Sequence, residues 1–458
     1  MTDFTGLKLI EPLQRALAEV GYAEMTPVQA ASLTDILAGR DVVAQARTGS
    51  GKTAAFALGL LSTLDAAAVQ LQGLVLCPTR ELADQVSREI RRLARFIPNV
   101  KVLTLCGGVP LRPHLASLAH EPHIVVGTPG RILELIEKEA LPLQAVKTLV
   151  LDEADRMLDM GFADDIRGII GATPPQRQTL LFSATIPQSI REISRQFQRD
   201  PLDVTVPSDA DETLIEQTFF EVDPERKIAA LESLLLHYRP ESAVVFCNTR
   251  QDVRAVAGEL AAHDFSVLAL HGELDQRERE EMLVRFANRS CTVLVASDVA
   301  ARGLDIAELP MVINFDIASD ADTHLHRIGR TGRAGRRGIA LSLCSPREST
   351  RVNIIEDRLG ERLHWGTLPP RAAAAPPLFA PFVTLAIDAG RQDKLRPGDL
   401  LGALTGDAGL SADAVGKIDV FPTRTYVGIA REAHVRAMQR LRAGKIKGRT
   451  FRIRKIGS

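Results

Sequence analysis

The segment from Ala44 to Thr53, AQARTGSGKT, has the residue types and spacing of a phosphate-binding loop. Gly49 and Gly51 let backbone N–H groups turn towards phosphate oxygens. Lys52 can reach the β- and γ-phosphates, and the Thr53 hydroxyl can bind Mg²⁺. A helix beginning here would add the positive end of its dipole. The pattern predicts a nucleotide site formed by Ala46, Arg47, Thr48, Gly49, Ser50, Gly51, Lys52 and Thr53.

A second motif, TLVLDEAD at residues 148–155, places three carboxylates after an apolar run. Asp152 suits a Mg²⁺ contact, made directly or through water. Glu153 suits orienting or deprotonating the attacking water, because phosphoryl transfer depends mainly on positioning and charge neutralisation. An acidic helix N-terminus is the alternative interpretation of DEAD alone. The phosphate loop that precedes it favours a hydrolytic site.

Two sets of short, almost continuous apolar runs must position these motifs. Runs without polar alternation are typical of strands buried on both faces, as in parallel sheets covered by helices. Ligands bind such sheets beyond the carboxyl ends of the strands, which is where each polar motif falls. The two sets predict two tandem α/β parallel-sheet domains, with runs at 73–77, 123–127, 148–155 and 179–185, and at 243–250, 266–272, 292–298 and 311–316.

Composition shifts predict the domain boundaries. A polar, proline-interrupted stretch at 200–212 indicates an interlobe linker, and a Pro/Ala-rich stretch at 369–381 indicates a second linker of limited flexibility. The remaining segment predicts a small α+β module in the order βαββαβ, with strands at 383–388, 417–421, 426–430 and 450–456 and helices starting near Pro397 and Glu432. We expect the first α/β domain at 1–205, the interlobe linker at 206–213, the second α/β domain at 214–366, the second linker at 367–378 and the C-terminal module at 379–458.

Charge is divided unevenly along the chain, whose net charge is −1. The segment 379–458 has 15 Lys and Arg against 7 Asp and Glu, whereas the preceding part has 41 against 50. The stretch 440–455 alone holds eight basic residues and no acidic one. A basic appendage on an acidic body predicts binding to a polyanion. An accessory fold that binds protein, or nothing, remains the alternative.

The five cysteines are scattered without a CxxC pair, which favours reduced core thiols over disulfides or a zinc site. The N-terminal sequence lacks the features of a signal peptide, and no apolar stretch is long enough to span a bilayer. We therefore expect a cytoplasmic protein without a membrane partner.

The ordered motifs resemble those of the DEAD-box RNA helicases over residues 1 to about 365. The resemblance implies two RecA-like domains that use ATP and Mg²⁺ to open short RNA duplexes locally. It is carried by GYAEMTPVQ (21–29), ARTGSGKT (46–53), PTRELA (78–83), TPGR (128–131), DEAD (152–155), SAT (183–185), RGLDI (302–306) and HRIGRTGRAG (326–335).

The same resemblance assigns roles around the nucleotide. It implies that Gln29 reads the adenine edge, that Tyr22 stacks on the ring with Phe4 packed behind, and that Asp305 binds the ribose. Met25 stands where the family usually has proline. The implied catalytic residues are Lys52, Asp152 and Glu153, with Arg330 and Arg333 as arginine fingers, which contribute roughly 10³- to 10⁵-fold in rate.

The resemblance also implies residues that bind RNA or couple it to hydrolysis. Hydroxyl and guanidinium groups suit phosphates, which give affinity without sequence information. The implied RNA contacts are Thr79, Arg80, Gly108, Thr128, Arg131, Arg250 and Ser297. The implied coupling residues are Ser183, Thr185, Gln276, Arg279 and His326.

The βαββαβ module suits the RRM class of RNA-binding domains, but its strands lack the aromatic residues that normally stack bases, with Tyr426 the only candidate. We therefore expect RNA contacts at its basic strand edge and loops, at Lys445, Lys447, Arg449, Arg452 and Arg454. GDLLGALTGDAGL (398–410), GKIDVF (416–421) and GKIKGRTFRIRK (444–455) resemble the C-terminal domain of the DbpA subgroup. That resemblance implies a protein that binds a 23S rRNA hairpin, has RNA-stimulated ATPase activity and acts on pre-50S particles in large-subunit assembly. The oligomeric state stays open, with a monomer as the default expectation.

Two other functions compete with this hypothesis. A duplex-DNA translocase of the wider helicase superfamily is disfavoured by the Gln29 motif and the DEAD string. A non-catalytic RNA-binding scaffold is disfavoured by the presence of Lys52, Glu153, Arg330 and Arg333.

Overall fold

A computed structural model describes residues 3–46, 49–206, 215–301, 309–332, 337–360, 362–370, 378–407 and 409–457. The chain divides into two compact units near residue 210. The first unit contains the first lobe, and the second contains the second lobe together with the C-terminal module. The predicted order of two tandem parallel-sheet domains and a small α+β module is confirmed.

The described part of the first lobe forms a seven-stranded parallel sheet in the order β3-β4-β2-β5-β6-β1-β7. Its strands are β1 (Val42–Gln45), β2 (Gly73–Leu76), β3 (Val102–Leu105), β4 (Ile124–Gly127), β5 (Thr148–Asp152), β6 (Gln178–Ser183) and β7 (Leu202–Thr205). Its helices are α1 (Glu11–Val20), α2 (Pro27–Leu37), α3 (Lys52–Ser62), α4 (Arg80–Leu93), α5 (Leu111–Leu118), α6 (Pro129–Glu137), α7 (Ala154–Asp159), α8 (Ala163–Ala172) and α9 (Gln188–Phe197).

Two hydrophobic cores cover the two faces of this sheet. Phe56 of α3 meets Phe182 of β6 in one core, with ring centroids 5.5 Å apart. Leu149 of β5 and Ile169 of α8 belong to the other core. Burial on both faces explains why β2, β4, β5 and β6 have almost continuous apolar sequences.

The described part of the second lobe forms a six-stranded parallel sheet in the order β10-β11-β9-β12-β13-β8. Its strands are β8 (Ile215–Glu221), β9 (Ala243–Cys247), β10 (Val267–Leu270), β11 (Val293–Ser297), β12 (Met311–Asn314) and β13 (Gly338–Cys344). Its helices are α10 (Lys227–Tyr238), α11 (Arg250–Ala262), α12 (Gln276–Ala287), α13 (Asp298–Ala301), α14 (Ala321–Ile328) and α15 (Ser349–Leu359).

The C-terminal module forms an antiparallel sheet in the order β15-β16-β14-β17. Its elements are β14 (Phe382–Ile387), α16 (Pro397–Gly402), β15 (Val415–Val420), β16 (Thr425–Ala430), α17 (His434–Ala443) and β17 (Ile453–Lys455). Side chains alternate along each strand, so one face carries Leu385, Ile387, Val427 and Ile429 into the core of the module.

The other face of this sheet packs against α12 of the second lobe. Ala386 and Tyr426, which are cross-strand partners, form an apolar cluster with Val284 of α12. The Thr384 hydroxyl donates to Ser290 Oγ at 2.7 Å, and its cross-strand partner Gly428 lies against the second lobe as well. The face that an RRM normally offers to bases is therefore a buried protein interface.

The segment predicted as the second linker is attached to the second lobe where the structure describes it. Leu378 packs into the core of that lobe, and its carbonyl oxygen accepts a hydrogen bond from the Ser266 amide at 3.2 Å. Leu368 also packs against this core. Residues 371–377, like residues 207–213 of the interlobe linker, lie outside the described residues.

All five cysteines are free and buried. Within the described ranges, no helix is both long and apolar enough to cross a bilayer.

Candidate nucleotide site and RNA-binding surfaces

The strand order of the first lobe separates two groups of motifs. DEAD, SAT and the phosphate loop follow β5, β6 and β1, which are consecutive in the sheet. The Gly107-Gly108 pair, TPGR and PTRELA follow β3, β4 and β2, which are also consecutive. Because parallel strands end at one edge, the nucleotide motifs and the proposed RNA motifs occupy adjoining halves of that edge.

The phosphate loop leads directly into α3. Gly49 and Gly51 have φ values of 87° and 88°, in the left-handed region that favours glycine. A Cβ atom at Gly51 would lie 2.6 Å from Nε2 of Gln29, so only glycine fits. Ser50 and Thr53 lie beside this turn, at the start of α3, and the Ala46 amide donates to the Ser183 carbonyl oxygen at 2.8 Å. Arg47 and Thr48 lie outside the described residues.

Lys52 meets the first two carboxylates of the DEAD motif beneath the phosphate loop. Its Nζ lies 2.9 Å from Asp152 Oδ1 and 3.8 Å from Glu153 Oε1, and its side chain is only 4% exposed. Burial alone would lower the pKa of Lys52, but the attraction of Asp152 and Glu153 outweighs burial, and the pKa is raised. Burial raises the pKa of Asp152 against the opposing effect of Lys52. The lysine therefore stays charged and partly neutralises two buried carboxylates.

Glu153 has an unusual backbone conformation at the junction of β5 and α7. Its φ and ψ are both 52°, in the left-handed region that a non-glycine residue rarely adopts. Such conformations cost about 1–3 kcal/mol and persist where the surroundings impose them, often at functional sites. Arg156 holds the carboxylate from the next turn, with Nε 3.4 Å from Oε2.

The SAT motif is hydrogen-bonded to the DEAD motif through Asp155. Oδ2 of Asp155 accepts from the Thr185 amide at 2.9 Å and from the Thr185 hydroxyl at 3.0 Å. The Asp155 amide donates to Ser183 Oγ at 3.1 Å. The family resemblance implied coupling roles for Ser183 and Thr185 but none for Asp155. The position of Asp155 within the DEAD motif is the sequence feature that could have indicated this role.

Gln29 connects its own motif to the phosphate loop. Its Oε1 accepts from the Thr26 amide at 2.9 Å, and its Nε2 donates to the Gly51 carbonyl oxygen at 2.9 Å. Each of these atoms can make a second hydrogen bond, so the amide can still meet an adenine edge. Phe4 is buried in the lobe core, and Met25 packs against the same core.

Tyr22 is held by two residues of α4. Its hydroxyl donates to Glu89 Oε1 at 2.8 Å, and the Arg92 guanidinium lies 5.7 Å from the ring centroid. Burial, followed by the hydrogen bond to Glu89, raises the pKa of Tyr22 to about 12. The ring is therefore an oriented, neutral aromatic surface.

The proposed RNA residues of the first lobe differ in how they are presented. The Thr128 hydroxyl accepts from the Gly107 amide at 3.1 Å, which ties two of the motifs together, and Gly108 is exposed with φ 78°. Arg131 is buried, donating to the Val109 carbonyl oxygen at 2.7 Å and to His114 Nδ1 at 2.6 Å. The Arg131 guanidinium is therefore held in a fixed orientation below the surface by these hydrogen bonds.

Thr79 and Arg80 begin α4 at the same edge. The Thr79 hydroxyl caps the helix by accepting from the Leu82 amide at 3.3 Å, and Arg80 Nε lies 3.9 Å from Asp84. Both side chains are partly exposed, which leaves them accessible to a phosphate.

In the second lobe, the described nucleotide and coupling residues lie on, or directly after, two helices. Arg330 is buried just after α14, which also carries His326. Gln276 begins α12, and Arg279 of that helix donates to the Ala300 carbonyl oxygen at 2.7 Å. Arg333 and Asp305 lie outside the described residues.

The proposed RNA residues of this lobe lie at or just beyond the ends of the neighbouring strands β9 and β11. Arg250 begins α11 with an exposed side chain, and its Nη1 lies 2.6 Å from Glu273 Oε1. Ser297 is buried at the end of β11 and is the strand partner of Cys247.

The basic residues of the module differ in their surroundings, since some are exposed to solvent and others pair with acidic residues. Arg454 lies 4.0 Å from Glu281 of the second lobe, whereas Lys445 and Arg452 are exposed. Lys447 lies 3.5 Å from Asp399, and Arg449 lies 3.8 Å from Asp393.

These ion pairs bring the chain end against residues 391–399, and the Lys447 ammonium also donates to the Lys394 carbonyl oxygen at 3.1 Å. Exposed Arg391, Lys394 and Arg396 thereby join the basic surface. The sequence did not indicate these three residues, because their segment also contains acidic residues and meets the chain end only in the fold.

The family comparisons agree with this division of the molecule. Residues 26–193 match the model described as DEAD/DEAH box helicase, and residues 226–335 match the helicase conserved C-terminal domain. Residues 384–455 match the DbpA RNA binding domain.

Similar solved structures support the fold. The chain is similar to Saccharomyces cerevisiae Dbp5 bound to RNA and ADP BeF3, with 27% identity and a TM-score of 0.71. The similarity covers 80% of this chain and 96% of the Dbp5 chain. It is also similar to Mss116p bound to ssRNA and AMP-PNP, with 27% identity, a TM-score of 0.71 and coverage of 79% and 78%. The predicted RecA-like character of the two lobes is confirmed.

Curated relatives extend the likeness to the whole chain. The chain is 43% identical to the DEAD-box ATP-dependent RNA helicase CshA of Bacillus cereus, over 78% of this chain and 68% of that protein. It is 54% identical over 455 residues, 99% of each protein, to the ATP-dependent RNA helicase DbpA of Escherichia coli strain K12. The chain therefore belongs to the DEAD-box ATP-dependent RNA helicases, within their DbpA subgroup.

Proposed function

We propose that this helicase locally opens short RNA duplexes near a hairpin of 23S rRNA, to which its C-terminal module binds, during assembly of the large ribosomal subunit. The observation that carries the proposal is full-length similarity to DbpA together with the match of residues 384–455 to the DbpA RNA binding domain. We further propose that the chain acts as a monomer.

The first-lobe site has the donor set for Mg²⁺ and ATP. Asp152 is fully buried, and its Oδ2 has no hydrogen-bond partner among the described residues, as expected for an oxygen that binds a cation. Thr53 and Asp152 would hold Mg²⁺, which neutralises charge on the phosphates when bound. Lys52 would bind the β- and γ-phosphates, and Glu153, held by Arg156, would orient the attacking water.

The second lobe would supply the remaining groups for hydrolysis. Arg330 and Arg333 are proposed as arginine fingers that stabilise charge on the γ-phosphoryl oxygens. Asp305 is proposed to bind the ribose. The contacts of Thr185 and Ser183 with Asp155 would transmit the state of the nucleotide site to the rest of the lobe.

The module would determine which RNA the helicase binds, through its basic surface. Its sheet face is covered by α12, so phosphate contacts are expected from exposed residues elsewhere on the module. Lys445, Lys447, Arg449 and Arg452 are the proposed contacts, joined by Arg391, Lys394 and Arg396. Arg454 would act partly through its position at the second lobe.

The test compares ATP turnover by the full chain with two RNAs of equal length and composition. One contains the 23S rRNA hairpin next to a short duplex, and the other has the hairpin scrambled. We expect the hairpin RNA to reach half-maximal stimulation at a concentration at least about tenfold lower, a difference of about 1.4 kcal/mol in binding. Equal half-maximal concentrations would contradict the ribosomal assignment, and equal stimulation by single-stranded DNA would contradict the RNA preference.

A further inference from the structure

Arg327 is the largest fully buried side chain among the described residues, with 1% exposure. Its Nε and Nη2 donate to the two carboxylate oxygens of Asp298, both at 2.7 Å. Nη2 also donates to Asn248 Oδ1 at 2.7 Å, and Nη1 donates to the Asp316 carbonyl oxygen at 2.6 Å. Nη1 also donates to Asn314 Oδ1 at 3.4 Å, so all five N–H groups of the guanidinium are engaged, and the Phe246 ring centroid lies 5.3 Å away.

These partners lie at the carboxyl ends of three neighbouring strands. Asn248 follows β9, Asp298 follows β11, and Asp316 follows β12. Asn248 is two residues from Arg250, and Asp298 directly follows Ser297. One side chain thus fixes the relative positions of the two strand ends beside which the proposed RNA contacts of this lobe lie.

Arg327 itself belongs to the helix that leads to the proposed arginine finger. It lies in the last turn of α14, and its carbonyl oxygen accepts from the Arg330 amide at 3.2 Å. The same residue therefore contacts the RNA-side loops through its side chain and the finger segment through its backbone.

Stability alone is a weak explanation for this network. A buried arginine and carboxylate lose their hydration, and well-packed apolar residues of similar volume are often as stable or more so. The planar guanidinium has donors in a fixed fork, so it specifies the direction and distance of several acceptors at once. The arginine therefore fixes the relative positions of its acceptors, which an apolar side chain would not do.

We propose that Arg327 is a positioning residue that couples RNA bound at the ends of β9 and β11 to the placement of Arg330. The inference rests on the proposed function, since the RNA contacts at Arg250 and Ser297 and the finger role of Arg330 belong to it. Arg327 touches neither RNA nor nucleotide in this scheme. It acts by holding the two sets of residues in one geometry.

The test measures coupling in the full-length chain. The affinity for a fluorescein-labelled single-stranded RNA is measured by anisotropy with ADP and with a non-hydrolysable ATP analogue. The ratio of the two dissociation constants reports the coupling between the RNA and nucleotide sites, typically about 5- to 150-fold. Arg327→Lys keeps the charge but loses the fork, and we expect its ratio to fall towards one.

Lys227 offers a matched control in the same lobe. It is also a buried cation, with its Nζ 2.7 Å from Glu348 Oε2 and 3.5 Å from Asp316 Oδ1. It shares Asp316 with Arg327, but among the described residues no hydrogen bond or ion pair joins it to Asn248 or Asp298. We expect Lys227→Gln to lower the urea midpoint and to keep the coupling ratio of the parent chain.

Arg327→Lys would overturn the inference if it lowered the urea midpoint but kept the parent ratio, because Arg327 would then only stabilise the lobe. If Arg327→Lys does not fold, the coupling ratio is measured for Asn248→Ala instead, which removes one acceptor at the edge of the network. A reduced ratio for Asn248→Ala supports coupling, and a parent-like ratio contradicts it. A parent chain whose ATP turnover does not respond to RNA would overturn the proposed function and this inference together.

Discussion

Replacement of Tyr426 by alanine separates two interpretations of the sheet face of the module. Tyr426 is only 3% exposed and packs against Val284 of the second lobe, with its ring centroid 5.5 Å from that of Phe421. Buried aromatic side chains remove about 150–250 Å² from solvent, which corresponds to about 4–6 kcal/mol at about 25 cal/mol per Å². Aromatic-to-alanine replacements in cores cost about 3–5 kcal/mol, so we expect a loss of about 4 kcal/mol.

The assay is urea unfolding of the full chain, followed by the fluorescence of Trp365. Trp365 is the only tryptophan in the sequence and packs 5.8 Å from Phe219 in the second lobe, so it reports unfolding of the unit that contains the module. With a slope of about 3 kcal/mol per M, a loss of about 4 kcal/mol lowers the midpoint by about 1.3 M. Tyr426→Phe keeps the ring and is the matched control, with little expected change.

Hydrogen exchange gives a second measurement at the interface itself. We expect Tyr426→Ala to increase amide exchange at the end of α12, near Val284, because local protection depends on packing. If Tyr426 instead stacked on a base, alanine would weaken RNA binding by about 1–3 kcal/mol, or about 5- to 150-fold. That loss, with an unchanged urea midpoint and unchanged exchange, would refute the assignment of this face to the protein interface.

Three further predictions concern other parts of the molecule. Burial lowers the pKa of His324 to about 4, so the free energy of unfolding falls by about 3 kcal/mol as the pH drops from 6.5 to 4 and the unfolded state takes up a proton. His324→Gln removes this group, so the urea midpoint of that variant should decline less between pH 7 and pH 5. Arg449→Ala should reduce the salt slope of RNA binding by about one unit in a titration of affinity against salt, and an unchanged slope would exclude a phosphate contact. Thr185→Val removes the hydroxyl that donates to Asp155, so duplexes opened per ATP hydrolysed should fall, whereas an unchanged ratio would count against a coupling role.

The nucleotide site was predictable because its chemistry is local in sequence. Gly51 and Lys52 are adjacent, and the DEAD carboxylates end one strand, so the parallel sheet had only to bring two strand ends together. The observed pairing of Lys52 with Asp152 follows directly from the order β5-β6-β1. The apolar runs were equally informative, since burial on both faces leaves no polar alternation.

Features that depend on contacts between distant segments were not predictable. The absence of aromatic residues from the module sheet indicated only that base stacking was doubtful, and nothing in the sequence showed that α12 covers this face. Arg327 sits in an arginine-rich motif where phosphate binding is the usual explanation, yet its guanidinium is buried and donates to two side chains and one backbone carbonyl oxygen at three strand ends. Arg391 joins the basic surface only because the chain end folds against its segment.

In the proposed function, the module directs an ATP-driven motor to one ribosomal hairpin. The most direct measurement follows strand separation of one short RNA duplex, with and without the 23S rRNA hairpin appended, at the same enzyme and ATP concentrations. We expect at least about tenfold faster separation with the hairpin, since a tenfold gain requires only about 1.4 kcal/mol of specific binding. We also expect Glu153→Gln to abolish the separation. Equal rates for the two RNAs would contradict the role of the module, and unchanged turnover in Glu153→Gln would contradict the role of Glu153.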